Sequence, residues 1–205
     1  MKRLLELFSG THSVGRIATE LGYTVTSLDL KDATINLDIL DWDYTQMPVG
    51  HFDVIWASSP CDTFSVMKRC NVGRHGCTYE SLEADMQHVG VPLLHRTEAI
   101  ISYFQPRLWF IENPQTGKMK EFICKEKPFY DVDYCMYSNW GYKKRTRIWT
   151  NKLNFKPKIC QGGCGFVRAG CHLRHATGGN NPQGKGSRRT QRYQVPSALV
   201  SELLC

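Results

Sequence analysis

A thiol, a carboxylate and a pair of guanidinium groups carry the chemistry open to this sequence. Pro60-Cys61-Asp62-Thr63-Phe64-Ser65 follows the apolar run Val54–Ala57, which puts Cys61 just past the end of a buried strand. A thiolate there can attack an electron-poor ring carbon, although most cysteines beside a proline only fill space. Ile111-Glu112-Asn113-Pro114 closes the next apolar run, Leu108–Ile111, with a carboxylate at the same edge. A carboxyl group partly shielded from water can hydrogen-bond and protonate a ring nitrogen; alone it is equally a helix cap or half of an ion pair. Arg145-Thr146-Arg147 sets two guanidiniums at i and i+2 of a strand, facing one side. They can grip an anionic or carbonyl-bearing substrate with forked hydrogen bonds, or simply line a solvent-facing edge.

A second group of residues suits a nucleoside cofactor. Phe8-Ser9-Gly10-Thr11-His12-Ser13 joins a strand to a helix through a glycine turn that lets a ligand approach the backbone. Asp29-Leu30 follows about 20 residues later, at the end of the second strand, where a carboxylate can hold both ribose hydroxyls. Asp38-Ile39 offers an acceptor for an adenine amino group, or is an ordinary turn. Pro60 completes the candidate cofactor contacts.

These residues need a scaffold that brings strand ends together. Short apolar runs at Leu4–Phe8, Thr24–Leu28, Val54–Ala57 and Leu108–Ile111 alternate with helical patterns at Val14–Leu21 and near Ser81–Phe104. Alternating strands and helices predict an α/β fold with a mostly parallel sheet, whose carboxyl edge binds ligands. Asp131–Asn151 reads as a hairpin adding two strands. Residues 156–191 lose apolar periodicity and become rich in Cys, Gly and basic residues, a small loop-rich insert after a main domain of residues 1–155. Residues 192–205 return to that domain, with Leu199, Leu203 and Leu204 on one face of a helix that Pro196 helps to start.

Composition narrows the function classes. The chain has 205 residues, 26 Lys and Arg against 19 acidic residues, and a formal charge of +7. The basic residues cluster in Lys118–Lys127, Lys143–Arg147 and Arg168–Arg192, which suits a polyanion or a solvated basic face. No signal peptide or membrane span is legible, so the expectation is a soluble, intracellular protein. Nine cysteines, an odd number at irregular spacing, point to catalysis or metal rather than a disulfide framework. Cys160, Cys164, Cys171 and His172 are the expected ligands of a structural zinc, with His175 and Cys135 as substitutes, against the alternative of free thiols. Cys70, His75 and Cys77 make a weaker grouping.

Taken in order, Phe8-Ser9-Gly10, Asp29, Asp38-Ile39, Pro60-Cys61-x-x-Phe64-Ser65, Glu112-Asn113-Pro114 and Arg145-x-Arg147 resemble the motifs of the cytosine-C5 DNA methyltransferases over roughly residues 4–151. The compact versions of viruses and phages are most similar. The resemblance implies a Rossmann-like methyltransferase fold using S-adenosylmethionine, and DNA rather than RNA as the partner of a monomer. It further implies a covalent bond from Cys61 to C6 of a flipped cytosine, Glu112 at N3 and the 4-amino group, and Arg145 and Arg147 holding the base. The segment with Lys68, Arg69 and Arg74 would be the loop that closes over the base. His12 stands where the family has a second glycine, Asn113-Pro114 replaces Asn-Val, Lys143 replaces a Gln, and the closing motif survives only as Tyr193-Gln194-Val195-Pro196. Residues 156–191 replace a large recognition domain, so sequence specificity should be short or loose. A viral origin would place the protein in the cytoplasm or the host nucleus. The rival readings are an RNA methyltransferase, a catalytically silent nucleic-acid-binding protein, and a dinucleotide oxidoreductase that would leave Cys61 and the arginines without a role.

Overall fold

The computed structural model describes residues 1–174 and 191–205. Its main sheet runs in the order β3-β2-β1-β4-β5-β7-β6, with β1 Arg3–Leu7, β2 Thr24–Asp29, β3 Ile35–Asn36, β4 Val54–Ala57, β5 Leu108–Pro114, β6 Phe129–Asp133 and β7 Arg145–Thr150. The first five strands are parallel, and β7 lies antiparallel to both β5 and β6. Buried parallel strands must be apolar on both faces, which is why β4 reads Val-Ile-Trp-Ala with every residue buried. The expected α/β fold with a mostly parallel sheet and an added hairpin is observed.

Helices cover both faces. Helix α1, Ser13–Glu20, buries Val14, Ile17 and Ala18 at helical spacing, and the terminal helix α4, Ser197–Leu204, buries Leu199, Val200, Leu203 and Leu204 in the same cluster. On the other face Leu94, Ile100 and Phe104 of α3, Val91–Phe104, pack on Leu5, Leu7, Ile55 and Ile111. The expected helix near Ser81–Phe104 begins earlier, as α2 Tyr79–Asp85 behind a Thr78 cap, and passes through a π-helical turn at Met86–Gly90. The turn fits close packing: a Cβ on Gly90 would lie 2.5 Å from Thr63 Oγ1.

Two details position the site. Strand β1 lies between β2 and β4, so the strand order reverses at β1 while the strands stay parallel, and the β1 and β4 ends frame a crevice. Strand β5 runs three residues beyond the expected Ile111, because Glu112, Asn113 and Pro114 pair with Ile148, Arg147 and Thr146 of β7. Glu112 therefore stands within the strand and not past the end of the apolar run. The described part of the insert contains a two-stranded ribbon, β8 Val167–Arg168 and β9 Cys171–His172. His175 and the basic residues 175–190 lie outside the described residues. Among the described residues, no helix is long and apolar enough to cross a membrane.

Candidate active site

At the β1–β2 side of the crevice the backbone is bent tightly. Phe8, Gly10 and His12 all have positive φ (59°, 44° and 52°), and the Phe8 and Ser9 amides both donate to the Leu28 carbonyl. Asp29 fixes this turn: Oδ2 accepts the Gly10 N–H at 2.8 Å and Oδ1 the Leu30 N–H at 2.7 Å. The result is a cavity of about 610 Å³ lined by Phe8, Ser9, Gly10, Thr11, Asp29, Leu30, Asp38, Ile39 and Pro60 among others. Leu30, Leu37, Leu40 and Val89, large apolar residues exposed to solvent, all open into it. Ser9 Oγ, Thr11 Oγ1 and Ser59 Oγ line it as buried hydroxyls with no partner. Apolar walls plus orphaned polar atoms fit a nucleoside ligand with a polar tail, the shape of S-adenosylmethionine.

Two expected cofactor residues turn away. His12 caps α1 in a left-handed conformation, with Nε2 2.6 Å from the Asp32 carbonyl, and Ser13 Oγ accepts the Val195 N–H at 3.0 Å. Once the chain enters α1, its side chains point to the helix packing and not to the crevice.

A second cavity of about 630 Å³ adjoins the first and is lined by Ser65–Met67, Asn113–Gly117 and Lys143–Arg145. Cys61, Pro114, Lys144, Arg192 and Tyr193 line both, so the thiol stands at the junction. A smaller cavity of about 110 Å³ behind the loop, between Phe64, Tyr79 and Lys118, is lined by none of Cys61, Glu112, Arg145 and Arg147.

Glu112 is buried beside the thiol. Its Oε1 accepts the Tyr134 hydroxyl at 2.9 Å and lies 3.7 Å from Lys144 Nζ. Burial pushes the Cys61 thiol above its ordinary range; the Lys144 ammonium opposes this, while Glu112 and Asp62 reinforce it. Asn113 donates from Nδ2 to the Ser59 carbonyl at 3.2 Å, tying the β4 and β5 ends together.

Arg145 and Arg147 share one face, as their spacing predicts, but each is engaged across the hairpin. Arg145 grips Asp133 through Nε (3.0 Å) and Nη2 (2.8 Å), and Arg147 grips Asp131 at 2.8 and 2.9 Å with its guanidinium over the Phe129 ring. Only Arg145 lines a cavity; Arg147, expected to hold the substrate, lines neither. Asp131 and Asp133 sit opposite these arginines in the β6–β7 register, which a single strand's sequence does not reveal. Lys144 was also missed. Strand alternation carried the signal, since the residue next to Arg145 faces the other side of the sheet, where Glu112 lies.

Four of the candidate ligand side chains gather, with the substitute Cys135 in the place expected for Cys171. Cys135, Cys160, Cys164 and His172 bring their ligand atoms within 4.8 Å of one another, and Cys171 stays outside, exposed. Cys171 and His172 are neighbours on β9, so when the imidazole faces inward the thiol faces out. Cys70, His75 and Cys77 form no such group among the described residues.

No protein-family model matches the chain. A curated protein of Frog virus 3 (isolate Goorha), named "Probable DNA (cytosine-5)-methyltransferase", is 46% identical over 211 aligned positions that span 98% of this chain and 98% of its own. Among solved structures, the Entamoeba histolytica methyltransferase EhMeth superposes with a TM-score of 0.52 at 14% identity over 78% of this chain and 56% of its own, a likeness of fold. A chain encoded within an E. coli prophage gives a TM-score of 0.48 at 12% identity, over 73% of this chain and 46% of its own, and adds no argument. The chain spans about half the length of these two solved proteins.

Proposed function

Because the chain belongs to the cytosine-C5 DNA methyltransferases, we propose that it transfers a methyl group from S-adenosylmethionine to carbon 5 of cytosine in DNA, with Cys61 bonded transiently to carbon 6. The observation that carries this reading is the placement of Cys61 at the junction of two cavities, with Glu112 and Lys144 beside it. One cavity suits the cofactor, and the other, lined by Lys143, Lys144 and Arg145, suits a base drawn out of the duplex at a cost of a few kcal/mol.

Bound cofactor supplies an electrophilic sulfonium methyl; everything else falls to the chain. Cys61 attacks as the thiolate, forming an S–C6 bond and moving the C5–C6 electron pair toward C5. Glu112, held by the Tyr134 hydroxyl, engages N3 and the 4-amino group and supports the charge that reaches the ring. Carbon 5 takes the methyl, its proton passes to water, and the S–C6 bond breaks to return the thiolate. Lys144 is the nearby cation that favours Cys61 as thiolate and lies against Glu112. Arg145 faces the base cavity, while Arg147 braces the hairpin through Asp131 and supports the site from behind. Both cavities lie within one chain, so the reading needs no second subunit, and a viral relative suits work on DNA in the cytoplasm or nucleus of a host. A structural zinc is the second cofactor in this reading, because among residues 156–174 the buried apolar side chains amount to Cys160 alone.

The test is transfer of labelled methyl to duplex DNA, single-stranded DNA and RNA side by side, with nucleosides resolved after digestion. Label in 5-methylcytosine from DNA is expected; label from RNA alone would move the substrate. Cys61→Ser and Cys61→Ala should abolish transfer and retain cofactor binding, and full activity in either would sink the covalent route.

A further inference from the structure

We infer that Cys135, Cys160, Cys164 and His172 form a tetrahedral zinc site, and that this site fastens the insert to the catalytic hairpin so that metal loading sets the position of Arg145. The inference rests on the proposed reaction only for what the Arg145 cavity receives.

Geometry supports the ligand set. In a tetrahedral site with Zn–S of about 2.3 Å and Zn–N of about 2.0–2.1 Å, sulfur and nitrogen ligands stand roughly 3.6 Å apart. His172 Nε2 lies 3.5 Å from Cys160 Sγ and 3.4 Å from Cys164 Sγ. Cys160 Sγ also accepts the Gly162 N–H at 3.4 Å, the outer contact that steadies a thiolate ligand. The ligands come from two parts of the chain. Cys160, Cys164 and His172 belong to the insert, whereas Cys135 lies on the 3-10 turn Tyr134–Met136 directly after β6. A metal there does what the insert's few buried side chains cannot, and joins it to the sheet.

The link to the base cavity is short. Cys160 donates its backbone N–H to Asp133 Oδ2 at 2.8 Å, and the same carboxylate holds Arg145 in a two-point grip. Asp133 is fully buried, so losing one of these partners leaves its charge short of donors and frees the Arg145 guanidinium to shift. Among the described residues, the route from the cluster toward the first cavity runs through Tyr134 to Glu112, which lines it near Cys61, and no side-chain hydrogen bond joins the cluster to the Phe8–Asp29 turn itself. Metal loss should therefore impair DNA handling and spare cofactor binding.

Metal analysis of the full chain should find about one zinc per molecule. Cys135→Ser should lose it and Cys171→Ser should keep it. Should Cys135→Ser fail to fold, cobalt-loaded Cys171→Ser still reads the set, since its thiolate charge-transfer bands should remain those of three sulfurs, whereas a site built on Cys171 would drop to two. Chelation should weaken DNA affinity by about tenfold and leave S-adenosylmethionine affinity unchanged, with zinc restoring the first. Asp133→Asn should reproduce the DNA defect with zinc still bound. A metal-free, folded protein overturns the site, and metal lost in Cys171→Ser but kept in Cys135→Ser overturns the ligand set. Equal loss of DNA and cofactor affinity on chelation overturns the coupling. Absence of methyl transfer by zinc-loaded protein would instead count against the proposed reaction, and the metal content and spectrum would stand apart from it.

Discussion

Burial disfavours the charged form of the Cys61 thiol, Lys144 pulls the other way, and the Glu112 and Asp62 carboxylates again oppose ionisation. The free protein thus holds Cys61 as a thiol near neutral pH, and the thiolate forms when a bound base and phosphates add positive partners or drive off water. Alkylation by iodoacetamide reads the thiolate directly. Peptide mapping should show Cys61 modified more slowly than the exposed Cys70 and Cys124, at a rate that rises through a midpoint above the ordinary thiol range. Lys144→Gln should raise that midpoint and Glu112→Gln should lower it; an unchanged midpoint in Lys144→Gln would remove the lysine from this role. A second buried group, Glu6, lies beneath the Phe8–His12 turn, where Oε1 accepts the Val14 N–H at 3.3 Å and Oε2 has no hydrogen-bond partner and lies 4.0 Å from His12 Nδ1. Burial is the main cause that lifts its carboxyl from 4.5 to about 7. The unfolded chain releases this proton near 4.5, so the folded state keeps its full contribution below that pH and loses it as pH rises toward 7, by about 3 kcal/mol. Melting curves of Glu6→Gln, which cannot ionise, should therefore overtake those of the unaltered protein between pH 5 and pH 7 by several degrees. Parallel curves for the two proteins would show that Glu6 ionises freely. At this scale the placement of Cys61 and Glu112 at one cavity was legible, because both follow apolar runs that end at the carboxyl edge of the sheet. Glu6 was hidden as a polar letter inside an apolar strand, and Lys144 and Tyr134 gain meaning only once β5, β6 and β7 are paired.

The loop that carries Cys61 is held by an irregular element. The π-helical turn Met86–Gly90 inserts an extra residue between α2 and α3, directs His88 and Val89 into the first cavity, and leaves Gly90 against Thr63 and Phe64. A Cβ at Gly90 would meet Thr63 Oγ1 at 2.5 Å, Thr63 Cβ at 2.9 Å and Phe64 Cζ at 3.0 Å, so the loop must move. Gly90→Ala should cost about 1–3 kcal/mol of stability and lower kcat more than it raises the KM for cofactor, as steady-state kinetics at saturating DNA would show. An alanine variant with native kcat would mean that the loop yields without consequence. Helix α4 closes the opposite face, and the fully buried Leu203→Ala should destabilise by about 2–5 kcal/mol in a denaturant titration. Most elements were readable because buried parallel strands appear as short apolar runs and both covering helices keep a helical period. The exceptions have physical causes. The π turn obeys no simple periodicity, β3 is a two-residue pairing, and β5 extends past Ile111 through a hydrogen-bonded partner that comes later in the chain.

For the whole molecule, the balance between charge and recognition surface decides what kind of DNA enzyme this is. The formal charge is +7, and Lys143, Lys144, Arg145 and Arg192 gather around the second cavity, the one proposed for the base. Contacts from such groups go to phosphates, which position a duplex without reading it, and each one made releases counterions. If the insert is the recognition surface, that surface is small, because residues 156–191 span 36 positions, and the regular structure of the described part is one ribbon of two two-residue strands. Each base pair read in a groove contributes about 1–3 kcal/mol of discrimination, and single small modules bury roughly 600–1,000 Å². A module of this size can therefore distinguish few positions around the target cytosine, and affinity must come chiefly from charge. Two linked results are expected. DNA affinity should fall steeply and linearly on a log–log plot against salt, with a slope of about −3 to −5 if four or five phosphates are neutralised, while S-adenosylmethionine affinity stays nearly flat. Conversion-based sequencing of a random-sequence duplex library should place 5-methylcytosine in a short motif flanked by unconstrained bases. A long, strictly defined site joined to a shallow salt slope would reverse the balance, because specificity of that kind needs groove contacts that a small, basic insert has no surface to make.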